Sequence, residues 1–416
     1  MRLAMNAEKL MERSYASLRN TAKVAALLLV VLPITACGQV MVPTPTRGEV
    51  LQVGAERTVE YLPLLEGKRV AVVTNQTGRI GHTHLVDSLL ARGMQVVKVF
   101  APEHGFRGEA DAGETIKDGM DKRTGLPVVS LYGSQKKPTA THLADVDLLL
   151  FDIQDVGVRF YTYIGTLHYV MEAAAEHDLP VVVLDRPNPN GHYVDGPLLD
   201  TAYRSFVGMH PVPLVHGMTV GEFARMINGE GWLKGGVHCA LTVIPCQGYD
   251  HQMRYELPVR PSPNLPNMAA VYLYPSLGFF EGTVVSVGRG TAQPFQVIGY
   301  PGNPLGDHRF TPMPGPGAKD PPHRGKECTG LDLRGIGTEL AHEPGRVDLS
   351  WLIDLYAAAP EPGAFFLTNR FIDKLAGGDA LRKAIIAGAD EETIRATWRK
   401  DLDAFMELRA RYVLYP

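Results

Sequence analysis

The sequence has no surplus of charge of either sign. Lys and Arg number 41 and Asp and Glu 45, a formal net charge of −4 over 416 residues. A chain so balanced has no electrostatic footprint for nucleic acid, and none is expected as a partner. Cysteine is scarce: four in all, with no Cys-x-x-Cys spacing, which argues against a zinc ribbon. His82 and His84 alone are too little for a metal site and suit a surface or cap position better. No metal is expected. The motifs Gly-x-x-x-x-Gly-Lys, His-Glu-x-x-His and Gly-x-Ser-x-Gly are all missing. Ser134-Gln135-Lys136-Lys137 does match Ser-x-x-Lys, but Pro138 follows directly and neither Ser-Asp-Asn nor Lys-Thr-Gly occurs. Acylation of a serine is therefore not supported.

Long apolar runs are missing too. Residues 1–23 carry Arg2, Lys9, Arg13, Arg19 and Lys23 against Glu8 and Glu12, and lead into Val24 to Ile34. At 11 residues this run is too short to span a bilayer and fits the core of a signal peptide. It ends in Ile34-Thr35-Ala36-Cys37, which resembles the lipobox of bacterial lipoproteins. Residues 1–36 are therefore expected to be a signal peptide, Cys37 the lipidated residue, and 37–56 a tether. Gly38 after the Cys resembles lipoproteins sorted to the outer membrane, so the expected location is the periplasm with a lipid anchor. Of the remaining thiols, Cys239 and Cys246 form the local disulfide candidate, and the alternative is three buried, unpaired cysteines.

What is present begins at Arg57. Short, nearly continuous apolar runs recur at 69–73, 96–100, 128–131, 147–151 and 181–184. Such runs suit strands buried on both faces. Helical spacing lies between some of them, at Leu85, Leu89 and Leu90 and at Leu167, Val170, Met171 and Ala174. The alternation predicts an α/β fold with a Rossmann-like, mostly parallel sheet over 57–209. A smaller C-terminal α/β domain is expected over 210–416. The latter holds the turn-rich stretch 258–267, a proline-dense loop at 299–326, and one amphipathic helix after Asp390 through Ile394, Trp398, Leu402, Phe405 and Leu408.

Each predicted strand ends in polar residues: Thr74 to Gly78, Pro102 to Gly108, Tyr132-Gly133, Asp152 to Gly157, and Asp185 to Asn188. In a parallel sheet these ends share one edge, where ligands of open α/β sheets bind. The loop after the first run lacks the spaced glycines that cradle a pyrophosphate, so no nucleotide cofactor is expected. Glu103 is the leading catalytic candidate. Partial desolvation at the sheet edge and beside Phe106 raises the pKa of such a carboxyl, as a general acid requires. The competing reading is an ion pair with Arg107. Glycoside hydrolysis commonly uses two carboxyls, and Asp152, Asp155, Asp185 and Glu281 are all candidates for the second; the sequence does not choose among them. His104 could orient Glu103 or act as a base. Asn75, Asp155, Tyr163, Asn264 and Glu281 are candidate substrate contacts. Arg107, Arg159 and Arg289 are candidate forks for a substrate carboxylate, each with a structural salt bridge as the alternative. The Phe160-Tyr161-Thr162-Tyr163 aromatics suit a sugar face or plain core packing equally.

Several motifs in order give a family resemblance. Thr74-Asn-Gln-Thr-Gly78, Pro102-Glu-His-Gly-Phe-Arg-Gly108, Ser130-Leu-Tyr-Gly133, residues 151–163, Leu184 to Pro189, His216 to Thr219, Ser262 to Pro266 and residues 280–291 resemble the NamZ/YbbC family of exo-β-N-acetylmuramidases. The resemblance runs from about residue 57 to the C-terminus. It implies a Rossmann-like domain and a smaller α/β domain with the active cleft between them. It implies release of terminal β-1,4-linked N-acetylmuramic acid from peptidoglycan fragments without a nucleotide cofactor, and Glu103 as catalytic acid; no other cofactor is expected. Asp152 is taken with Glu103 and His104 as the catalytic set. The rival classes are a lipid-anchored muropeptide-binding protein, for which Glu103 would be dispensable, and an esterase or amidase, for which no Ser or Cys stands in a credible setting.

Overall fold

The computed structural model describes residues 50–107 and 118–416. The expected signal peptide and the expected lipidation residue Cys37 lie outside the described residues. The expected tether ends sooner than residue 56: Gln52 exchanges backbone hydrogen bonds with Gln247, and the Gly54 N–H donates to the Asp185 carbonyl at 2.8 Å.

In chain order the strands are β1 (Val70–Thr74), a short hairpin of β2 (Arg79–Ile80) and β3 (Thr83–His84), β4 (Val96–Ala101), β5 (Gly119–Met120), β6 (Pro127–Ser130), β7 (Leu148–Asp152), β8 (Pro180–Leu184) and β9 (Ala240–Ile244). The main sheet runs β5-β6-β4-β1-β7-β8-β9. All its pairings are parallel except the edge pair β5–β6. Strand order reverses beside β1, as in doubly wound Rossmann-type sheets. Alternate residues feed two separate cores. Ala71, Val73, Phe100, Leu149, Phe151, Val181 and Val183 enter one. Val70, Val72, Val99, Leu148, Leu150, Val182 and Leu184 enter the other. Burial on both faces is why these strands read as unbroken apolar runs.

Helices α1 (Thr58–Leu65), α2 (Leu85–Ala91), α3 (Tyr163–Glu176) and α4 (Val220–Gly229) accompany the sheet. In α3 the spaced residues Leu167, Val170, Met171 and Ala174 are all buried. His84 caps α2: its Nδ1 accepts from the Val86 N–H, and its Nε2 donates to the Asn75 carbonyl at 2.8 Å. A capping box closes α4, with Glu222 accepting from the Thr219 N–H and Thr219 Oγ1 from the Glu222 N–H. The sequence placed the change of unit at 209/210, and the sheet takes β9 and its neighbour α4 from beyond that point.

The later half adds α5 (Met268–Leu277), capped by Asn267, and a three-stranded antiparallel sheet. That sheet is β10 (Val297–Tyr300), β11 (His308–Phe310) and β12 (Cys328–Asp332), in the order β10-β12-β11. The expected loop 299–326 therefore contains strand residues, and only 311–322 is proline-dense. The expected last helix is two, α6 (Glu391–Ala396) and α7 (Arg399–Arg409). Asp390 caps the first as expected, at 2.8 Å. The break comes where Thr397 and Trp398 tighten to i−3 hydrogen bonds, with Thr397 Oγ1 also donating to the Ile394 carbonyl. Ile394, Trp398 and Phe405 are buried as the apolar stripe predicts. The tail returns to the first sheet: Tyr415 OH donates to Asp185 at 2.5 Å, and the Leu414 N–H to Glu222 at 2.7 Å. Cys239, Cys246 and Cys328 are free and buried. Among the described residues no helix is long and apolar enough to cross a membrane.

Candidate active site

The carboxyl ends of the parallel strands share one edge, with Thr74 opposite Asp152 and Ala101 opposite Ser130. Along that edge the polar residues fall into two groups. Over β1, β7 and β8 they bind one another. Arg186 grips Asp152 with two donors, at 2.6 and 2.9 Å, and both side chains are buried. Asp185 accepts from Thr219, Tyr415 and the Gly221 N–H; burial pushes its carboxyl up to about 6. Asn75 Oδ1 accepts from the Thr77 N–H and hydroxyl, and Thr77 Oγ1 accepts from the Gln154 N–H. Asp155 holds the Gly157 N–H at 2.7 Å, while its second oxygen has no hydrogen-bond partner among the described residues. Burial pushes the Asp155 carboxyl up to about 7. Tyr161 and Tyr163 are buried and donate to the Pro261 carbonyl at 2.9 and 3.3 Å. The crevice at the strand-order reversal is thus filled by the chain's own side chains.

Beyond β4, β6 and the loop after β7 the edge opens into a cleft of about 530 Å³. Its floor carries Glu103, Tyr132, Phe160 and Thr162, and Phe206 and Val207 stand beside them. Glu103 is half-buried, and the Thr162 hydroxyl donates to its Oε2 at 3.0 Å. Thr162 is the N-cap residue of α3 but makes no side-chain cap; its hydroxyl serves Glu103 instead. A carboxylate there also meets the positive end of a 14-residue helix. His104, next in the chain, is buried with φ 69, a left-handed conformation that a non-glycine residue adopts at a cost. The turn that presents Glu103 is therefore a strained one. The neighbouring side chains turn away. Phe106 packs edge-on against His84 at 4.8 Å. Arg107 pairs with Asp121 at 2.8 Å and Asp87 at 3.5 Å, so its partners are not the one that the competing reading of Glu103 required.

The facing wall comes from the later half. Tyr274 on α5 and Glu281 in the turn after it line the cleft, with Arg289, residues 317–322, Phe371 and Leu375. Gly282 lets this wall form, because a Cβ there would stand 2.4 Å from the Ile372 nitrogen, and the helix bearing Phe371 and Leu375 could not close in. Arg289 Nε and Nη2 both donate to Glu281 Oε1, at 3.0 and 2.7 Å, over the ring of Phe295. The proline-dense segment is stapled to its neighbours: Asn264 Nδ2 donates to the Gly317 carbonyl at 2.8 Å, and the Met313 N–H to Gly290 at 2.9 Å. Among the described residues no group of three or more His, Cys, Asp or Glu is placed to hold a metal ion.

The chain that builds this cleft matches known proteins. Models of the N-terminal and C-terminal parts of the exo-beta-N-acetylmuramidase NamZ fit residues 70–269 and 272–415. The chain belongs to the NamZ family. It is 40% identical over 380 residues to the peptidoglycan beta-N-acetylmuramidase NamZ of Bacillus subtilis (strain 168), covering 86% of this chain and 89% of that protein. Two crystal structures of DUF1343 family proteins from Bacteroides fragilis NCTC 9343 share its fold. One is 47% identical with a TM-score of 0.81, the other 30% identical with a TM-score of 0.73, and each alignment covers 88% of this chain and 99% of the other.

Of the residues singled out in the NamZ-like motifs, the structure brings Glu103, Glu281 and Arg289 together on the cleft. Three candidates are spent elsewhere. Asp152 is not at the cleft, because Arg186 takes both its oxygens. Arg159 is fully buried; its guanidinium donates to the carbonyls of Pro197, Val212 and Leu375, and burial pulls it down to about 9. Arg107 belongs to the Asp121–Asp87 pair. Asn75, Asp155 and Tyr163 pack beneath the cleft floor rather than lining it. Asn264 acts through Gly317, as the mount of a cleft wall. The aromatic run splits, with Phe160 on the cleft and Tyr161 and Tyr163 in the core. Nothing in the sequence pointed to Phe206, Lys319 or Phe371, which are isolated residues on irregular or distant segments. Thr162 was visible only as the polar member of an aromatic run.

Proposed function

We propose that this chain releases terminal β-1,4-linked N-acetylmuramic acid from peptidoglycan fragments, with Glu103 as general acid and Glu281 as the second carboxylate. The observation that carries the reading is Glu103 half-buried in the cleft with Glu281 lining the facing wall. Of the four acids considered for the second role, Glu281 is the one at the cleft. As the C1–O bond breaks, the Glu103 proton passes to the departing oxygen. A water oxygen bonds to C1 and its proton goes to Glu281, whose Oε1 holds Arg289. Phe160, Phe206 and Tyr274 offer aromatic faces to the apolar side of a sugar ring.

The test is turnover of a chromogenic β-N-acetylmuramide beside the N-acetylglucosaminide, with wild-type chain and Glu103→Gln. Release from the muramide, lost in the Gln variant while product still binds, supports the proposal. Binding without release in the wild type would favour a sugar-binding lipoprotein.

We also propose export and lipidation at Cys37, supported by the basic segment, the short apolar run and Ile34-Thr35-Ala36-Cys37. Gly38 supports anchoring at the outer membrane. Labelled palmitate should enter the wild-type chain and not Cys37→Ser; label in both would reject the site.

A further inference from the structure

Three tyrosines pack in series, with ring centres 4.8 Å apart from Tyr163 to Tyr161 and 5.9 Å from Tyr161 to Tyr274. Two of the three hydroxyls are spent on the Pro261 carbonyl, those of Tyr161 and Tyr163. Tyr274, on α5, differs. Its ring is buried and meets Phe160 at 5.1 Å and Phe295 at 4.9 Å, both T-shaped contacts that hold it in place. Its hydroxyl has no hydrogen-bond partner among the described residues, and unlike the partnerless Tyr300 hydroxyl it is not sealed from solvent. Tyr274 lines the cleft, so that is where the hydroxyl opens. A fixed ring with an unspent donor at a polar space is a group kept for a ligand.

Tyr274 and Glu281 belong to one assembly. Phe295 touches both arms of it: the Tyr274 ring rests on it, and the Arg289 guanidinium, 5.0 Å from its ring centre, holds Glu281 at 2.7 Å. Phe295 is itself buried with φ 54, a left-handed conformation that is costly for a bulky residue. As with His104 beside Glu103, strain sits where the cleft is built. Resting on the muramidase reading, we propose that Tyr274 is a further catalytic residue of this cleft, whose hydroxyl donates to the water that attacks C1 and holds it against Glu281. The water oxygen then accepts from Tyr274 with one lone pair and bonds to C1 with the other. One of its protons passes to Glu281, and Tyr274 keeps its own. Burial, and after it the negative charge of Glu281, push the phenol well above its ordinary range, so it remains a donor at and above neutral pH.

The test uses the full chain with 4-nitrophenyl and phenyl β-N-acetylmuramides, reading kcat, KM and the thermal midpoint. Tyr274→Phe keeps the ring and removes the donor. It should lower kcat roughly ten- to a hundredfold, the worth of a hydrogen bond to a group that gains charge, with KM and the midpoint nearly unchanged. The loss should be alike for both leaving groups, whereas the loss in Glu103→Gln should shrink with the better one, nitrophenolate; a variant that merely disturbed Glu103 would follow the second pattern. In a Glu281→Gln background the same exchange should cost little, because the water has already lost its acceptor. A Tyr274→Phe kcat close to wild type overturns the proposal. So does a full loss in the Glu281→Gln background, a loss that follows the Glu103 pattern, or one that comes with a lowered midpoint. All four leave the muramidase reading intact. Turnover of neither substrate by the wild type overturns that reading and the role of Tyr274 with it.

Discussion

Two stretches of one sheet edge carry similar residues and do different work. Over β1, β7 and β8, Asp152, Asp185 and Asn75 are buried and engaged by Arg186, Tyr415 and Thr77. Over β4 and the start of α3, Glu103 stands half-buried at a cleft, with Glu281 and Arg289 on the far wall. A polar strand end is therefore not by itself a site. Polar groups that satisfy one another hold the fold together, because breaking any one leaves its partner buried without compensation. Polar groups that border space can meet a substrate.

The comparison can be broken by variants on either side of it. Glu103→Gln should lower kcat by roughly 10²–10⁴, the usual worth of a general acid, and leave the thermal midpoint nearly unchanged, since the exchange keeps the shape. Asp152→Ala should do its damage in stability, about 3–5 kcal/mol by denaturant unfolding, because Arg186 is left as an unpaired buried charge. A variant of Asp152 that kept its stability but lost kcat would erase the distinction.

Asp155 sharpens it through pH. Its carboxyl titrates near 7 in the folded chain against an ordinary value of 3.8. A raised pKa favours the folded state while the group is protonated, so this contribution is full below the ordinary value and fades as pH rises through about 7. Asp155→Asn should therefore match the wild type near pH 4 and be the more stable near pH 8, by at most about 4 kcal/mol. Urea unfolding at the two pH values measures the difference. A wild type that is more stable at the higher pH relative to Asp155→Asn would contradict the assignment. The smallest effect is at Asn264, which touches the cleft only through Gly317. Asn264→Ala should cost about 1 kcal/mol of stability and raise KM a few-fold with kcat kept, as expected of a residue that places a wall.

Much of the fold was legible because buried parallel strands leave a local mark: β1, β4, β6, β7 and β8 each fall within a residue or so of their apolar runs. The break between α6 and α7 left none, since Ile394, Trp398, Leu402 and Phe405 keep helical spacing across it. The site was half legible. Glu103 stood out because a carboxyl between Pro102 and His104 is poor turn chemistry. Asp152 and Arg159 were candidates too, yet their partners are Arg186 and three distant carbonyls, and long-range pairing has no signature in spacing. Glu281 could be named but not chosen, because its place opposite Glu103 depends on Gly282 admitting a helix some ninety residues further along, whose Phe371 also lines the cleft.

The most direct test places Glu103→Gln and Asp152→Asn side by side, with kcat on the chromogenic β-N-acetylmuramide and the thermal midpoint read for each. Glu103→Gln should lose kcat by at least about a hundredfold at an unchanged midpoint, while Asp152→Asn should lose midpoint and keep the kcat of its folded fraction. A Glu103→Gln variant within a few-fold of wild-type kcat, with the loss falling on Asp152→Asn instead, would move the chemistry to the strand-order reversal and contradict the cleft as the active site.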